Sequence, residues 1–340
     1  MTETENEDVA FIIDEALGYV YPAALRTAAL VGVADHLRDG PRSVDELASL
    51  TRTPPDRLHR VLRLLATKGV FAEDEAGLFK LTGRASALCV SAPNSVRAAV
   101  LMLTDPALWR SVGELTESVR SGTSSFDRIF GMPLFEYYAR DPDAIAGFHV
   151  GMAAFSAVEE RPAALACAVP PHATVVDVAG GHGGLLREVL RANPSTRGVL
   201  FDQEHVLAGH RLGEDETLAG RWRLAAGDFL DEVPSGDVHL LKRIIHDWDD
   251  TTCVRILTNC RRAMTTGGRI LIIDSVVPAG NQPHQAKALD LVMMAALPGR
   301  ERTEEQFAEL LETAGLHLSG IVDVPGIPVS VVEAAASARR

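Results

Sequence analysis

The sequence predicts a chain of the α/β class, in which a helical amino-terminal region precedes a mostly parallel seven-stranded sheet. Up to about residue 165 the apolar residues recur every three or four positions, which is the period of an amphipathic helix. After Pro170-Pro171, short β-branched runs alternate with helical segments, as in βαβ units. The 340 residues, 46% of them hydrophobic, are enough to form more than one compact domain.

Residues 1–103 are predicted to form a helical domain that contains a winged helix. Ser43 stands three residues before Glu46, which is the spacing of a capping box at the start of a helix. Pro54-Pro55 introduces the next helix. Strand-like runs at Gly69–Phe71 and Leu78–Leu81 follow these helices and complete the pattern.

A winged helix can also bind DNA, so a regulatory protein is an alternative interpretation of this region. Arg57, Arg60, Arg63 and Lys68 place positive charge on its third helix. The same arginines are typical of the solvated side of an amphipathic helix. A net charge of -13 and a pI near 5.3 disfavour a surface for nucleic acid or anionic lipid, so we expect neither as a partner.

Residues 104–165 are predicted to be a helical linker rich in aromatic residues and methionine. Only 5% of the chain is aromatic, so their concentration here is unusual. More than half are expected to pack between helices, and the others could wall an apolar pocket for a flat ligand. They are Trp109, Phe126, Phe130, Met132, Phe135, Tyr137, Tyr138, Phe148, Met152 and Phe155.

Residues 166–340 are predicted to form the sheet domain, with an antiparallel pair of strands at one edge. The predicted strands are Thr174–Val178, Gly198–Phe201, Arg223–Ala225, Val238–Ile245, Arg269–Ile273, Leu318–Val324 and Val329–Val332.

The first of these strands leads into the run VVDVAGGHGG, which delivers Asp177 and then several glycines to the start of a helix. Glycines allow a tight turn and a close approach of backbone N–H groups to a ligand. The run does not fit the dinucleotide fingerprint, because Leu186 stands where the third glycine belongs. This departure weakens the alternative of a nicotinamide-dependent oxidoreductase.

Acidic residues end the next two strands at the same edge of the sheet. Asp202 follows the glycines by about twenty residues, at a position suited to ribose hydroxyls. The following strand ends in Gly227-Asp228-Phe229, an acid beside an aromatic ring that suits a purine. Because these acids would repel a pyrophosphate, the pattern favours a nucleoside with a cationic group such as a sulfonium.

The fourth strand delivers His246, in the run HDWDD, to the same edge. An imidazole with a pKa of about 6.5 can remove a proton from a phenol near neutral pH. Asp274 ends the fifth strand, and Glu301 is predicted to begin the last major helix. Either carboxylate could orient the imidazole, so the pattern predicts a general base for transfer to a hydroxyl group, without a metal ion.

These motifs together resemble the O-methyltransferase family of the plant caffeate type and of bacterial antibiotic pathways. The resemblance spans nearly the whole chain, through VVDVAGGHGG, Asp202, GDFL, LLKRIIHDWDD, ILIID and GRERTEEQF in the family's order. It implies a Rossmann-like domain that binds S-adenosylmethionine, an amino-terminal dimerisation domain and a homodimer. Two departures are Ala179, in place of the first loop glycine, and Asp274, which is shorter than the Glu of plant members.

The resemblance also implies roles for individual residues. His246 is the general base, flanked by Asp274 and Glu301. The acceptor lies between the helical aromatics and the cofactor domain, and is a polyketide, phenazine, quinone, indole or similar hydroxylated metabolite. Cofactor contacts fall on Asp177, Gly180, Gly181, Asp202, Gly227, Asp228, Phe229, Lys242 and Arg243, and acceptor contacts on Trp109, Met152, Phe155, Asp290, Met293 and Met294.

Three further expectations concern cellular context and chemistry. The acidic amino terminus is unlike a secretory signal, so we expect a cytoplasmic protein. The four cysteines are too widely spaced for a zinc site and are expected in the core. A relative that uses the same cofactor for hydroxylation or decarboxylation is the alternative enzyme, which His246 and Glu301 disfavour.

Overall fold

The computed structural model describes residues 3–336 and confirms the predicted α/β class. The chain divides into two compact units. The first comprises the residues up to Trp109 together with Tyr138–Phe155, and the second comprises Arg110–Tyr137 and the residues from Ser156 onward. The boundaries predicted at residues 103 and 165 remain a prediction.

The first unit is built from short helices and a small antiparallel sheet in the order β1-β3-β2. The predicted capping box is present, because Ser43 and Glu46 exchange backbone-to-side-chain hydrogen bonds at the start of α4. Its elements are α1 (Glu3–Leu17), α2 (Val20–Val31), α3 (Val33–His36), β1 (Arg42–Ser43), α4 (Val44–Thr51), α5 (Pro55–Ala66), β2 (Phe71–Glu73), β3 (Leu78–Leu81), α6 (Gly83–Ser86) and α7 (Arg97–Leu103).

Five helices follow before the large sheet, and the aromatic residues predicted for this segment lie on or between them. Phe126 is fully buried and packs against the rings of Phe130 and Tyr137 in the second unit. The helices are α8 (Pro106–Gly113), α9 (Leu115–Ser121), α10 (Ser125–Phe130), α11 (Leu134–Ala139) and α12 (Pro142–Ala166).

The second unit contains a seven-stranded sheet in the order β6-β5-β4-β7-β8-β10-β9. Strands β4 to β8 are parallel, and β10 pairs antiparallel with β8 and β9, which confirms the predicted antiparallel pair at the edge. The strands are β4 (Thr174–Val178), β5 (Arg197–Asp202), β6 (Trp222–Ala226), β7 (Gly236–Lys242), β8 (Met264–Asp274), β9 (Leu316–Asp323) and β10 (Ser330–Ala336).

Helices cover both faces of this sheet, as βαβ connections require. Alternate strand residues enter two separate cores: Val175 and Leu200 pack with α13, whereas Val176 and Val199 pack with α15 and α17. The helices are α13 (Gly184–Ala192), α14 (Glu204–Leu207), α15 (Asp250–Ala263), α16 (Gln285–Ala296) and α17 (Glu304–Thr313), with 3-10 turns at Leu212–Glu214, Glu216–Leu218 and Ile245–Asp247.

All four cysteines are buried and free, as expected of core residues. Within residues 3–336, no helix is long and apolar enough to cross a membrane.

Candidate active site

The glycine loop leaves β4 and folds tightly over the carboxyl group of Asp177. Ala179 and Gly181 adopt positive φ angles of 54° and 57°, and Gly183 adopts 83° before α13 begins. A Cβ atom on Gly180 would stand 2.6 Å from the Asp177 carboxylate, so only glycine allows this approach. Asp177 is 1% exposed, and its burial raises its pKa to about 7. It therefore lies beneath the loop and supports it.

Asp202 binds the same loop from the end of the neighbouring strand. Its Oδ2 atom accepts a hydrogen bond from the Gly181 N–H at 2.9 Å, and Oδ1 accepts one from Gln203 at 2.7 Å. The side chain is half-buried, and each oxygen retains a second acceptor site. The carboxylate is thus fixed in place and can still accept hydrogen bonds from hydroxyl groups.

The third acidic loop, Gly227 to Phe229, follows the edge strand β6. The Gly227 N–H donates to the backbone carbonyl of Asp202, at 3.1 Å, which draws the two loops together. Asp228 is exposed, and its Oδ1 atom accepts from the Leu230 N–H at 2.8 Å. The Phe229 ring meets Trp248 edge to face at 6.0 Å. The predicted nucleoside residues therefore occupy the carboxyl ends of β4, β5 and β6, which are adjacent strands.

Lys242 ends β7 and Arg243 follows it, and both side chains bind other protein groups. Lys242 donates from Nζ to the Ser156 carbonyl at 3.1 Å. Its burial lowers its pKa, and the negative charges of Glu160, Glu159 and Asp177 oppose that shift. Arg243 adopts a positive φ of 57°. Its guanidinium group binds both carboxylate oxygens of Glu159, at 2.5 and 3.3 Å.

His246 lies in the 3-10 turn that follows β7, and it is 5% exposed. The strand ends at Lys242, so the prediction that it reaches Ile245 is wrong by three residues. The Nδ1 atom lies 2.8 Å from Glu301 Oε1, and the Nε2 atom lies 3.4 Å from Asp247 Oδ1. Because an ionised carboxylate only accepts hydrogen bonds, the contact with Glu301 places the ring proton on Nδ1.

The electrostatic environment makes this imidazole a strong base. Burial disfavours the charged ring, but the negative charges of Asp247, Asp274 and Glu301 outweigh burial and raise the pKa of His246 to about 9. Burial also raises the pKa of Asp247 and of Asp274. Neither carboxylate oxygen of Asp274 has a hydrogen-bond partner in the described part of the chain, so it acts on the imidazole through charge alone.

Glu301 lies in an extended segment rather than in a helix. The last helix begins at Glu304 and is capped by Thr303, so the prediction that Glu301 begins it is wrong. The Glu301 N–H donates to Asp290 Oδ1 at 3.0 Å, and its carboxylate also lies 3.6 Å from the Arg243 guanidinium. Both the backbone and the side chain of Glu301 are therefore fixed.

The six predicted acceptor-binding residues fall in both units. Trp109, Met152 and Phe155 belong to the first unit and are half-buried. Met293 and Met294 lie on α16 in the second unit, the former buried and the latter exposed. Asp290 lies on the same helix and already binds the Glu301 N–H.

Sequence reasoning missed three charged residues around His246. Asp247 stands next to the histidine in HDWDD, and Arg302 stands next to Glu301 in RER, so both were visible as neighbours of predicted residues. Glu159 binds Arg243 across 84 positions of the chain, and no local pattern announces that contact. The described residues contain no cluster of three or more side chains that could hold a metal ion.

Comparison with protein-family models gives two matches. Residues 112–317 match the O-methyltransferase domain, and residues 13–91 match the O-methyltransferase dimerisation domain.

Individual relatives match nearly the whole chain. Phenazine O-methyltransferase PhzM of Lysobacter antibioticus is 37% identical over 328 residues, which cover 96% of this chain and 95% of the relative. The crystal structure of CalO1, a methyltransferase in calicheamicin biosynthesis, in its SAH-bound form has a TM-score of 0.91 and 44% identity, and covers 99% of this chain and 100% of its own. Phenazine-1-carboxylate N-methyltransferase of Pseudomonas aeruginosa is 36% identical, with 88% of this chain and 89% of the relative covered.

Proposed function

Because the chain belongs to the O-methyltransferase family, we propose that it transfers the methyl group of S-adenosylmethionine to a hydroxyl group of a small aromatic metabolite, with His246 as the general base. The observation that carries the proposal is the contact between the buried His246 Nδ1 and Glu301 Oε1, at 2.8 Å. This contact leaves the Nε2 lone pair as the proton acceptor. A neutral phenol is a poor nucleophile, so removal of its proton is what the protein must supply.

The surrounding acids match the base to a phenol. A pKa of His246 raised to about 9 approaches the value of about 10 typical of a phenol, so proton transfer between them costs little free energy. When Nε2 receives the proton, Asp247 Oδ1 at 3.4 Å and Glu301 face the imidazolium from its two nitrogens. The charge that develops on the ring is thus stabilised by groups already in place.

The edge formed by β4, β5 and β6 fits S-adenosylmethionine, which supplies an electrophilic methyl group when bound. The loop at Gly180 and Gly181 carries no side chains, which allows a close approach of the cofactor, and Asp202 offers fixed acceptors for ribose hydroxyls. Asp228 and Phe229 suit the adenine. The charge of Lys242 is offset by neighbouring carboxylates, so the edge has no strong site for a pyrophosphate and favours a cation.

The acceptor is proposed to be a polycyclic or quinonoid hydroxylated metabolite, by analogy with the phenazine acceptor in the name of the Lysobacter relative. Trp109, Met152 and Phe155 in the first unit, and Met293 and Met294 in the second, remain the proposed acceptor contacts. Asp290 is also a proposed acceptor contact, and its Oδ1 atom accepts a hydrogen bond from the Glu301 N–H at 3.0 Å.

Transfer to nitrogen is the second candidate, because one relative is an N-methyltransferase. A neutral aromatic amine attacks through its own lone pair and needs no base beforehand, whereas a phenol does. The buried pair of His246 and Glu301 therefore favours a hydroxyl acceptor.

Substitution of the base tests the proposal. We expect His246→Ala to lower kcat/KM for a hydroxyphenazine by about 10²- to 10⁴-fold, while S-adenosylhomocysteine binds with nearly unchanged affinity in calorimetry. His205→Ala, at an exposed histidine on α14, is the matched control and should retain full activity. Full turnover by His246→Ala with the phenol would refute the assignment of the base, and activity with an aminophenazine alone would favour the nitrogen acceptor.

A homodimer is also proposed, since residues 13–91 match a dimerisation domain. A groove of about 840 Å³ lies between α2 and α5, with an apolar floor that includes Ala24 and Leu64 and a rim that includes Arg57, Arg60 and Arg63. Helix α1 exposes Phe11, Ile12, Ile13 and Leu17 and carries acidic but no basic residues. Its composition complements the groove, so we assign the groove to α1 of a second copy of the chain.

A further inference from the structure

We propose that Arg302 is a positioning residue for His246, and that it acts by donating hydrogen bonds to backbone carbonyl groups on both sides of the histidine. This inference rests on the proposed role of His246 as the base. Arg302 is 1% exposed and is the largest fully buried side chain among the described residues. Burial of a guanidinium group costs free energy unless its N–H groups make hydrogen bonds, so the groups that accept those hydrogen bonds indicate its structural role.

The guanidinium group binds the two carbonyl groups that flank the His246-Asp247 dipeptide. Nη1 donates to the Ile245 carbonyl at 2.7 Å, and Nη2 donates to the Trp248 carbonyl at 3.1 Å. The planar fork of an arginine fixes both acceptors relative to each other, which a lysine ammonium group cannot do.

Asp250 fixes the guanidinium group itself, and Cys253 contacts the turn directly. Asp250, at the start of α15, accepts from Nε and Nη2 of Arg302 at 3.2 and 2.7 Å. The Cys253 Sγ atom lies 3.2 and 3.4 Å from the carbonyl oxygens of Ile245 and Trp248, and its single S–H donates to this pair. The turn that carries the imidazole is therefore anchored on one side by α15 and on the other by Arg302.

Residues 299–302 form one segment that packs against this turn. A Cβ atom on Gly299 would stand 1.9 Å from the His246 carbonyl oxygen, so the two backbones are in direct contact. Glu301 binds the imidazole, and the Arg302 carbonyl accepts from the Val277 N–H at 2.9 Å, which attaches the segment to the chain after β8.

Consecutive residues of the 299–302 segment thus hold the side chain and the backbone of the same histidine. Glu301 sets the orientation of the ring, and Arg302 sets the position of the turn from which the ring projects. Because both residues lie on one backbone, the distance between His246 Nδ1 and the Glu301 carboxylate depends on Arg302. A displacement of about 1 Å at such a site can lower the rate by about 10²-fold.

The test compares Arg302→Lys with Arg300→Lys. Arg300 binds the other carboxylate oxygen of Asp250, Oδ2, and is 46% exposed, but within residues 3–336 its side chain makes no hydrogen bond to the His246 turn. Both substitutions keep the charge and remove the fork. We expect Arg302→Lys to lower kcat for a phenolic acceptor by about 10²-fold with little change in cofactor affinity, and Arg300→Lys to stay within about twofold of the unsubstituted protein.

Titration of the His246 ring by NMR supplies a readout that does not depend on activity. The charged groups that face the imidazole are Asp247, Asp274 and Glu301, and Arg243 lies 3.6 Å from the Glu301 carboxylate. If Arg302→Lys loosens the contact with Glu301, the pKa of His246 should fall by at least about half a unit, because the hydrogen bond that favours the imidazolium is weakened. The resonance is assigned by its loss in His246→Asn.

Each outcome has a single meaning. A lowered pKa with lowered kcat supports the inference, and a lowered pKa with unchanged kcat supports the positioning role while refuting His246 as the base. An unchanged pKa in folded Arg302→Lys overturns the inference. If that variant does not fold, Gly299→Ala, which pushes on the His246 carbonyl, replaces it, with Gly113→Ala as a control because a Cβ there meets nothing within 4 Å. An unchanged pKa in Gly299→Ala would likewise overturn the inference.

Discussion

Replacement of Glu301 by glutamine should move the pH dependence of the reaction downward. The amide keeps an acceptor oxygen for His246 Nδ1, which lies 2.8 Å from the present carboxylate, but it removes the negative charge. A hydrogen bond between charged groups contributes about 1.5–3 kcal/mol, and one pKa unit corresponds to about 1.36 kcal/mol. The pKa of His246, raised to about 9, should therefore fall by about 1–2 units.

The sign of the effect on rate follows from the proposed role of His246 as the general base. Only the neutral imidazole accepts a proton, so kcat/KM rises with pH through the pKa of His246. In Glu301→Gln the rise should occur at lower pH, while the plateau at high pH should fall by roughly tenfold because the base is weaker. Relative to the unsubstituted protein, the variant should lose least activity at the acidic end of the profile.

The assay measures initial rates of S-adenosylhomocysteine formation between about pH 6 and pH 10 with one phenolic acceptor. The acceptor titrates in the same way with both proteins, so the difference between profiles isolates the protein group. Glu304→Gln, at an exposed carboxylate on α17, is the control and should give the unsubstituted profile. A rise at the same or a higher pH in Glu301→Gln would refute the reasoning.

Two further predictions concern the glycine loop and the dimer. In the loop, Gly180→Ala places a methyl group 2.6 Å from the Asp177 carboxylate, and it should weaken S-adenosylhomocysteine binding at least about tenfold in calorimetry. Ala179→Gly relieves a φ of 54° and should stabilise the fold by about 1 kcal/mol in thermal unfolding. Unchanged binding in Gly180→Ala, or a less stable fold in Ala179→Gly, would contradict this account of the loop. At the groove between α2 and α5, Arg60→Glu should weaken dimerisation about tenfold in analytical ultracentrifugation at low salt. If Arg60→Glu dimerises as tightly as the unsubstituted protein, the assignment of the groove to α1 is contradicted.

The sheet and the residues at its edge were predictable because they depend on local patterns. The run VVDVAGGHGG and the acids that end β5 and β6 follow directly from the rule that parallel strands place their carboxyl ends together. The pairing of His246 with Glu301 was predictable as one of two alternatives, because both Asp274 and Glu301 are near the same edge. In the structure Glu301 makes the hydrogen bond with the ring, and the Asp274 oxygens make none within the described residues.

The support around the base was not predictable, because it depends on contacts between distant positions. Arg243 was expected at the cofactor, and no local pattern indicated that its guanidinium group binds Glu159, 84 positions away. Asp290 was expected at the acceptor, and no local pattern indicated its hydrogen bond with the Glu301 backbone. A charged residue at a functional edge is readable from sequence, but its partner is decided by tertiary packing.

The two acids beyond the turn divide the work on the imidazole. Glu301 makes the hydrogen bond that fixes the ring, whereas Asp274 is fully buried and interacts with the ring through its charge alone. Burial raises the pKa of Asp274, and the positive charge of the His246 imidazolium opposes that rise. The shorter side chain at position 274 makes no hydrogen bond to the ring, whose orientation is set by Glu301. It leaves a buried carboxyl group whose charge strengthens the base only when that carboxyl group is ionised.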